Sequence, residues 1–273
     1  MCRHLAYLGP PVALAEVVTR PPGGLYEQSW APRRQTHGTV NADGFGLGWY
    51  PADGEPPARY RRAVPVWADP NLPDLARAVR SGAVLAAVRD ATPGTAQDET
   101  AAAPYAAGGR LFSHNGAVPD WQRLPADLGE VLDAGELLDL EARCDSALLW
   151  ALLAARLRAG ADPEQAMAAL AARVAEVRPG ARLNFLLTDG SSIVATRRGD
   201  SLWYRTGPGG VLVASEPDRT GAGTGTGTGT GTGAGTGAAG GWREVPEDHV
   251  LTATATSVRT VPLVTAAERI PTA

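Results

Sequence analysis

The chain has 273 residues, 44 % of them apolar and 20 % charged, with a formal net charge of −4. That length holds one large core and hardly two, no apolar run approaches the roughly 18 residues that a membrane span needs, and the arginines form no stripe for nucleic acid or anionic lipid. All 25 basic residues are arginine, which removes lysine Schiff-base chemistry and the P-loop lysine and leaves a small molecule as the expected partner.

The two cysteines, Cys2 and Cys144, and the lack of any Asn-x-Ser/Thr sequon suggest neither a disulfide framework nor a glycosylated exterior. Residues 5–18 are fairly apolar, but Pro10, Pro11 and Glu16 interrupt them and no basic leader flanks them, so a signal peptide is not expected and the cytoplasm is.

In chain order, residues 2–8 predict a strand that ends at the Gly9, Pro10, Pro11 breaker. Period two puts Cys2, His4 and Ala6 on one face and Arg3, Leu5 and Tyr7 on the other. Residues 43–50 alternate Gly44, Gly46 and Gly48 with Phe45, Leu47 and Trp49, as in a strand with one closely approached face. No helix pattern follows, so these glycines do not make a dinucleotide loop. Residues 58–66 and 83–89 are further strand candidates, with a short helix around 73–80 between them. Residues 109–113 predict a short strand, followed by His114, Asn115 and Gly116.

Two amphipathic helices come next, one with Leu148, Leu149, Leu152, Leu153 and Leu157 on its apolar face, the other with Met167, Leu170, Ala171, Val174 and Val177. Asp162, Pro163 and Gln165 supply an N-cap, a first-turn proline and a capping-box partner for the second. Residues 181–215 read as short hairpins around Asp189 and Gly190, Gly199 and Asp200, and 207–210. The Gly-Thr-Ala tract at 220–240 has almost no apolar bulk and predicts a disordered loop, interrupting one hairpin whose arms are 210–215 and 242–255. Strands, two helices and strands again make a layered α+β domain, expected to be single over 2–265 with a tail at 266–273.

Several residues carry candidate chemistry, each beside a plainer role. Removal of Met1 leaves Cys2 with a thiol of ordinary pKa about 8.5 and an amine of about 7.7 to 8.0, close enough for the amine to serve as its base; otherwise Cys2 is a core thiol. Arg89, at the end of an apolar strand, is either a surface ion-pair residue or a planar fork for a substrate carboxylate, with Thr92 as an added hydroxyl. Asn115 and Gly116 are either a turn or an oxyanion hole. Asp145 is either the N-cap of the first long helix or the acceptor of a substrate ammonium, and Cys144 beside it reads as core. The four histidines have no metal-ligand spacing and no Cys-x-x-Cys exists, so neither metal nor cofactor is expected. The carboxylate pairs read as solvated faces.

Taken together, Met1-Cys2-Arg3, the Asn41, Asp43, Gly44, Gly46, Gly48, Trp49, Tyr50 run, Arg89 with Ala91, Thr92 and Gly94, His114-Asn115-Gly116, and Asp145-Ser146 resemble, in this order, the class II glutamine amidotransferases. The resemblance covers roughly residues 2–265. It implies the N-terminal nucleophile fold, a four-layer αββα sandwich of two antiparallel sheets. It also implies Cys2 as nucleophile with its own α-amine as base, Asn115 and Gly116 as oxyanion hole, Arg89 and Thr92 on the glutamyl α-carboxylate, and Asp145 on the α-ammonium. Residues 2–9, 214–217 and 241–246 resemble the ergothioneine-pathway amidohydrolases, which remove glutamate from γ-glutamyl-hercynylcysteine S-oxide. The tract at 220–240 and Asp90, in a slot where many relatives carry an aromatic residue, depart from the pattern. The trimethylammonium of such a leaving group calls for an aromatic face, for which Trp30 is the candidate. The rival enzymes are an ammonia-supplying glutaminase subunit, for which no residues remain in cis to build a synthase, and a glutathione-type γ-glutamyl hydrolase. A non-catalytic γ-glutamyl sensor is the alternative outside enzymes, and Cys2 next to Met1 argues against it.

Overall fold

The computed structural model describes residues 2–52, 54–92, 94–130, 132–220 and 241–263. In chain order the elements are β1 (Arg3–Ala13), α1 (Leu14–Val17), α2 (Leu25–Gln28), β2 (Phe45–Trp49), β3 (Ala58–Arg62), α3 (Leu72–Ala78), β4 (Arg80–Val88), β5 (Tyr105–Ala107) and β6 (Arg110–Ala117). Then come α4 (Leu124–Leu128), α5 (Ala134–Leu138), α6 (Asp145–Arg158), α7 (Pro163–Val177), β7 (Arg182–Thr188), β8 (Ile193–Arg197), β9 (Trp203–Gly207), β10 (Gly210–Ala214), β11 (Arg243–Glu244), β12 (His249–Ala253) and β13 (Val258–Pro262).

The strands form two antiparallel sheets, ordered β11-β9-β10-β1-β4-β2-β3 and β13-β12-β8-β7-β6-β5. Side-chain parity in β1 decides what each face touches. Leu5 and Tyr7 pack with Leu14, Leu25 and Leu72 of α1 to α3, whereas Ala6 and Leu8 meet Leu111 and Leu186 of the second sheet. The outer face of that sheet, through Phe112 and Phe185, buries the leucine faces of α6 and α7. The result is the expected four layers: short helices, sheet, sheet, long helices. The glycines of β2 are needed for close approach between sheets, since a Cβ on Gly48 would stand 2.7 Å from Leu111 Cδ1 and one on Gly46 would collide with the Ala103 carbonyl.

Both long helices stand where their apolar periodicity puts them, and Asp162 caps α7 by accepting from the Gln165 N–H at 3.0 Å. Five local expectations change. The first strand does not stop at Gly9: β1 continues to Ala13 across a register shift between Leu8 and Val12, and the two prolines sit there, where strand 4 demands no N–H from them. Residues 63–66 leave β3, which ends at Arg62. His114, Asn115 and Gly116 do not follow a strand; β6 runs on to Ala117, pairing Asn115 with Asn184. The flanks of the Gly-Thr tract are not arms of one hairpin, because β10 pairs with β1 and β9, while β11 pairs with β9 and β12 with β8 in the other sheet. The chain likewise changes sheets at Gly199 and Asp200 instead of making a hairpin there. Residues 221–240 and the tail expected at 266–273 lie outside the described residues. Among the described residues, no helix is long and apolar enough to cross a membrane.

Candidate active site

At the end of the sandwich where β1 begins and β4 ends lies a cleft lined by Cys2, Arg89, Thr92, Gly116, Asp145 and Ser146 among others. The inward parity of β4, Ala83, Leu85 and Ala87, continues to Arg89 and delivers it there. Cys2 is half-buried. Burial pushes its thiol up, against the backbone N–H of Asp90 and the charge of Arg89, which pull it down.

Arg89 is 7 % exposed. Its Nη2 donates to Thr95 Oγ1 at 3.0 Å and to the Ala96 carbonyl at 2.7 Å, and Thr95 Oγ1 donates onward to the Thr92 carbonyl at 2.7 Å. Asp43 braces the turn from the other side, accepting from the Ala91 N–H at 2.8 Å. Arg89 has no carboxylate partner among the described residues. Asp145 is also 7 % exposed, and its oxygens accept from the backbone N–H groups of Val118 at 3.0 Å and Ser146 at 2.8 Å. It too makes no ion pair among the described residues. It is the first residue of α6 and not the cap, a position that Cys144 occupies without its side chain capping the helix. The α6 N-terminus therefore stabilises the Asp145 carboxylate electrostatically, and Cys144 is core, 3.3 Å from the Tyr105 hydroxyl.

His114 ties the two sides of this wall together. Its Nε2 lies 2.9 Å from the Arg182 carbonyl and must donate to it, so Nδ1 accepts from Ser146 Oγ at 3.0 Å. Burial lowers its pKa more than Asp145 and the Arg182 carbonyl raise it, which suits that neutral tautomer. Gly116 leaves no room for a side chain, since a Cβ would collide with the Arg182 carbonyl and lie 2.5 Å from His114 Nε2. Asn115 points the other way, between the sheets, with Ser113 and Leu111 of the same strand. It is fully buried, and its Nδ2 stands 3.5 Å from Ser215 Oγ.

The cleft thus brings together Cys2, Arg89, Thr92, Gly116 and Asp145, with Asn115 directly behind Gly116 in the strand. Trp30 is not among the lining residues. It stands half-exposed at the end of α2, edge-on to Tyr26 and Trp67 with ring centroids 5.0 and 5.8 Å away. Sequence reasoning missed Thr95, which holds the Arg89 fork, the His114 ring, Ser215, and the fully buried Arg3–Glu216 ion pair at 3.1 Å, one residue along the chain from Cys2. Ser215 and Glu216 stand in a segment that drew attention by resemblance, but no spacing links them to positions 3, 4 and 115. Among the described residues, no group of three or more His, Cys, Asp and Glu is placed to share a metal ion.

Residues 25–211 match the profile of the class-II glutamine amidotransferases. The chain belongs to that family. It is 44 % identical over 217 residues to the γ-glutamyl-hercynylcysteine sulfoxide hydrolase of Mycolicibacterium smegmatis, covering 80 % of this chain and 88 % of the relative. To the protein of the same name from Mycobacterium tuberculosis it is 39 % identical over 254 residues, 93 % of each chain. Among solved structures, a glutamine aminotransferase class-II domain protein from Silicibacter pomeroyi superposes with a TM-score of 0.65 at 26 % identity, over 96 % of this chain and 100 % of the other. The glutamine phosphoribosylpyrophosphate amidotransferase of B. subtilis superposes at 0.56 and 14 % identity, over 97 % of this chain and 49 % of its own, a likeness of fold.

Proposed function

We propose that this family member hydrolyses the γ-glutamyl amide of γ-glutamyl-hercynylcysteine S-oxide, giving glutamate and hercynylcysteine S-oxide. The observation that carries the reading is the pair Arg89 and Asp145: two buried, opposite charges in one cleft with Cys2, neither with an ionic partner among the described residues. An uncompensated buried charge costs several kcal/mol. A free amino-acid head group offsets both, its α-carboxylate on Arg89, with Thr92 at the rim, and its α-ammonium on Asp145. A γ-glutamyl compound presents that head group and sets its amide one side chain further on, toward the thiol. The names of the two mycobacterial relatives support the leaving group.

In this mechanism the Cys2 α-amine, freed by loss of Met1, takes the thiol proton as Sγ attacks the γ-carbonyl carbon. The Asn115 side chain and the Gly116 N–H donate to the oxyanion. The C–N bond breaks, the amine passes its proton to the departing nitrogen, and a γ-glutamyl thioester remains on Cys2. Water, deprotonated by the same amine, adds to the thioester and releases glutamate and the thiol.

The test is glutamate release by Met1-processed protein from γ-glutamyl-hercynylcysteine S-oxide, glutathione and glutamine side by side, with Cys2→Ala as control. The expected result is turnover of the first substrate, lost in the variant. Preference for glutamine would overturn the substrate, and activity surviving in Cys2→Ala would overturn the nucleophile.

A further inference from the structure

The buried polar atoms around Asn115 do not balance as they stand. Ser215 Oγ accepts from the His4 backbone N–H at 3.0 Å and from Asn115 Nδ2 at 3.5 Å, and no group among the described residues accepts from its hydroxyl. At the same time Asn115 Oδ1 is buried with no donor. One serine is thus asked only to accept while an amide oxygen beside it has nothing to accept from.

The two ends of a carboxamide exchange places on a half-turn about χ2 at almost no steric cost. With Asn115 so turned, Ser215 still accepts from His4 and now donates its own proton to Oδ1. Both deficits vanish together. Nδ2 moves to where Oδ1 was, a buried position at which Oδ1 has no hydrogen-bond partner among the described residues. Asn115 faces the space between the sheets, as His4 and Ser113 do, and by the parity of β1 Cys2 faces that space at the strand's end. The Ser215 side is the blind side of the amide.

We propose that Ser215 is a positioning residue: by donating to Asn115 Oδ1 it locks the amide with Nδ2 toward Cys2, where an oxyanion forms. Its place is set rigidly. Its N–H donates to the His4 carbonyl at 3.0 Å, the His4 N–H returns a bond to Oγ at 3.0 Å, and the Ser215 carbonyl accepts from Ser201 Oγ at 2.8 Å. The hydroxyl therefore cannot follow the amide if the amide turns back. The proposal rests on the oxyanion role of Asn115 given above and adds what holds that donor in its working orientation.

A double-mutant cycle separates the two claims. The quantities are kcat and KM for glutamate release by wild type, Ser215→Ala, Asn115→Ala and the double variant. Ser215→Ala should lower kcat at least about tenfold with KM within about twofold, because the lost donor matters only where charge develops. The same substitution should have no further effect once Asn115 is alanine, and Ser215→Thr, which keeps the hydroxyl, should restore most of the rate. Undiminished kcat in Ser215→Ala, or losses that multiply in the double variant, overturns the proposal while leaving Asn115 as the oxyanion donor. Wild-type kcat in Asn115→Ala alone overturns the donor itself. Should Ser215→Ala not fold, the processed wild type answers directly: nuclear Overhauser contacts from the Asn115 side-chain amide protons to Cys2 Hβ are expected, and contacts to Ser215 Hβ in their place reverse the assignment.

Discussion

The space between the two sheets has two halves, and the same strands build both. At one end β1 contributes Ala6 and Leu8, β4 Leu85, β6 Leu111, and β10 Val211 and Val213, an apolar layer. Two or four residues along, the same inward faces carry His4, Ser113 and Asn115, with Ser215 just past the end of β10, all fully buried. In the apolar half any side chain of the right volume serves, because dispersion and burial have no direction. In the polar half each atom needs a named partner, and two atoms there, Asn115 Oδ1 and His4 Nε2, are left without one among the described residues. Non-directional packing holds one end of the sandwich and directional hydrogen bonding the other.

That division should be separable by substitution. Leu85→Ala, in the apolar half at 0 % exposure, should cost about 2–5 kcal/mol of stability and leave kcat unchanged at a temperature where the variant is folded. Urea unfolding and glutamate release on the same sample check it; a lost kcat in folded protein would erase the distinction. Asn115→Ala should do the reverse, losing about 2.7–4 kcal/mol of transition-state stabilisation in kcat with little change in the unfolding midpoint.

The polar half should also announce itself in pH dependence. Burial holds His4 well below its ordinary value of 6.5, with the nearby charge of Arg3 adding to the effect, and burial lowers His114 as well. Both are neutral in the folded protein, whereas the unfolded chain takes up protons near the ordinary value. Stability is therefore full above about pH 6.5 and falls as pH drops below it, by up to about 1.4 kcal/mol per pH unit for each histidine. Urea midpoints between pH 7 and 5 measure the slope, and His4→Asn, which cannot charge, should remove part of it. The smallest effect is expected outside both halves. Trp30→Ala should raise KM for a trimethylammonium-bearing substrate by about 0.5–1 kcal/mol, since the ring is 42 % exposed and off the cleft wall. An unchanged KM removes it from the site.

Much of the fold was legible because its signals are local. The leucine and alanine periodicity of α6 and α7, the cap at Asp162 and the glycine face of β2 each sit within one element, and each stands where the pattern puts it. The errors came where a local signal was outweighed from a distance. Two prolines read as a terminator, but the bulge opposite strand 4 accommodates them. Asn115 and Gly116 read as a turn or strand end, but pairing with Asn184 and Leu183 keeps them in β6. Asp145 read as a possible cap, but the helix begins one residue earlier in its geometry and frees the carboxylate for the cleft.

By itself the sequence determined the layered class, the two long helices, the family, and which side chains could act: a thiol beside a removable methionine, an arginine at a strand end, an asparagine before a glycine, an acid before a helix. Those depend on residue type and short spacing, which the chain carries along its length. Only the tertiary structure decided that Arg89 and Asp145 face one cavity without an ionic partner among the described residues, that Thr95 holds the arginine fork, and that Ser215 stands behind Asn115. Positions 89 and 145, or 115 and 215, meet because strands from different parts of the chain pair and two sheets stack. Hydrogen bonds and ion pairs act over a few ångströms in space, whatever the separation in sequence.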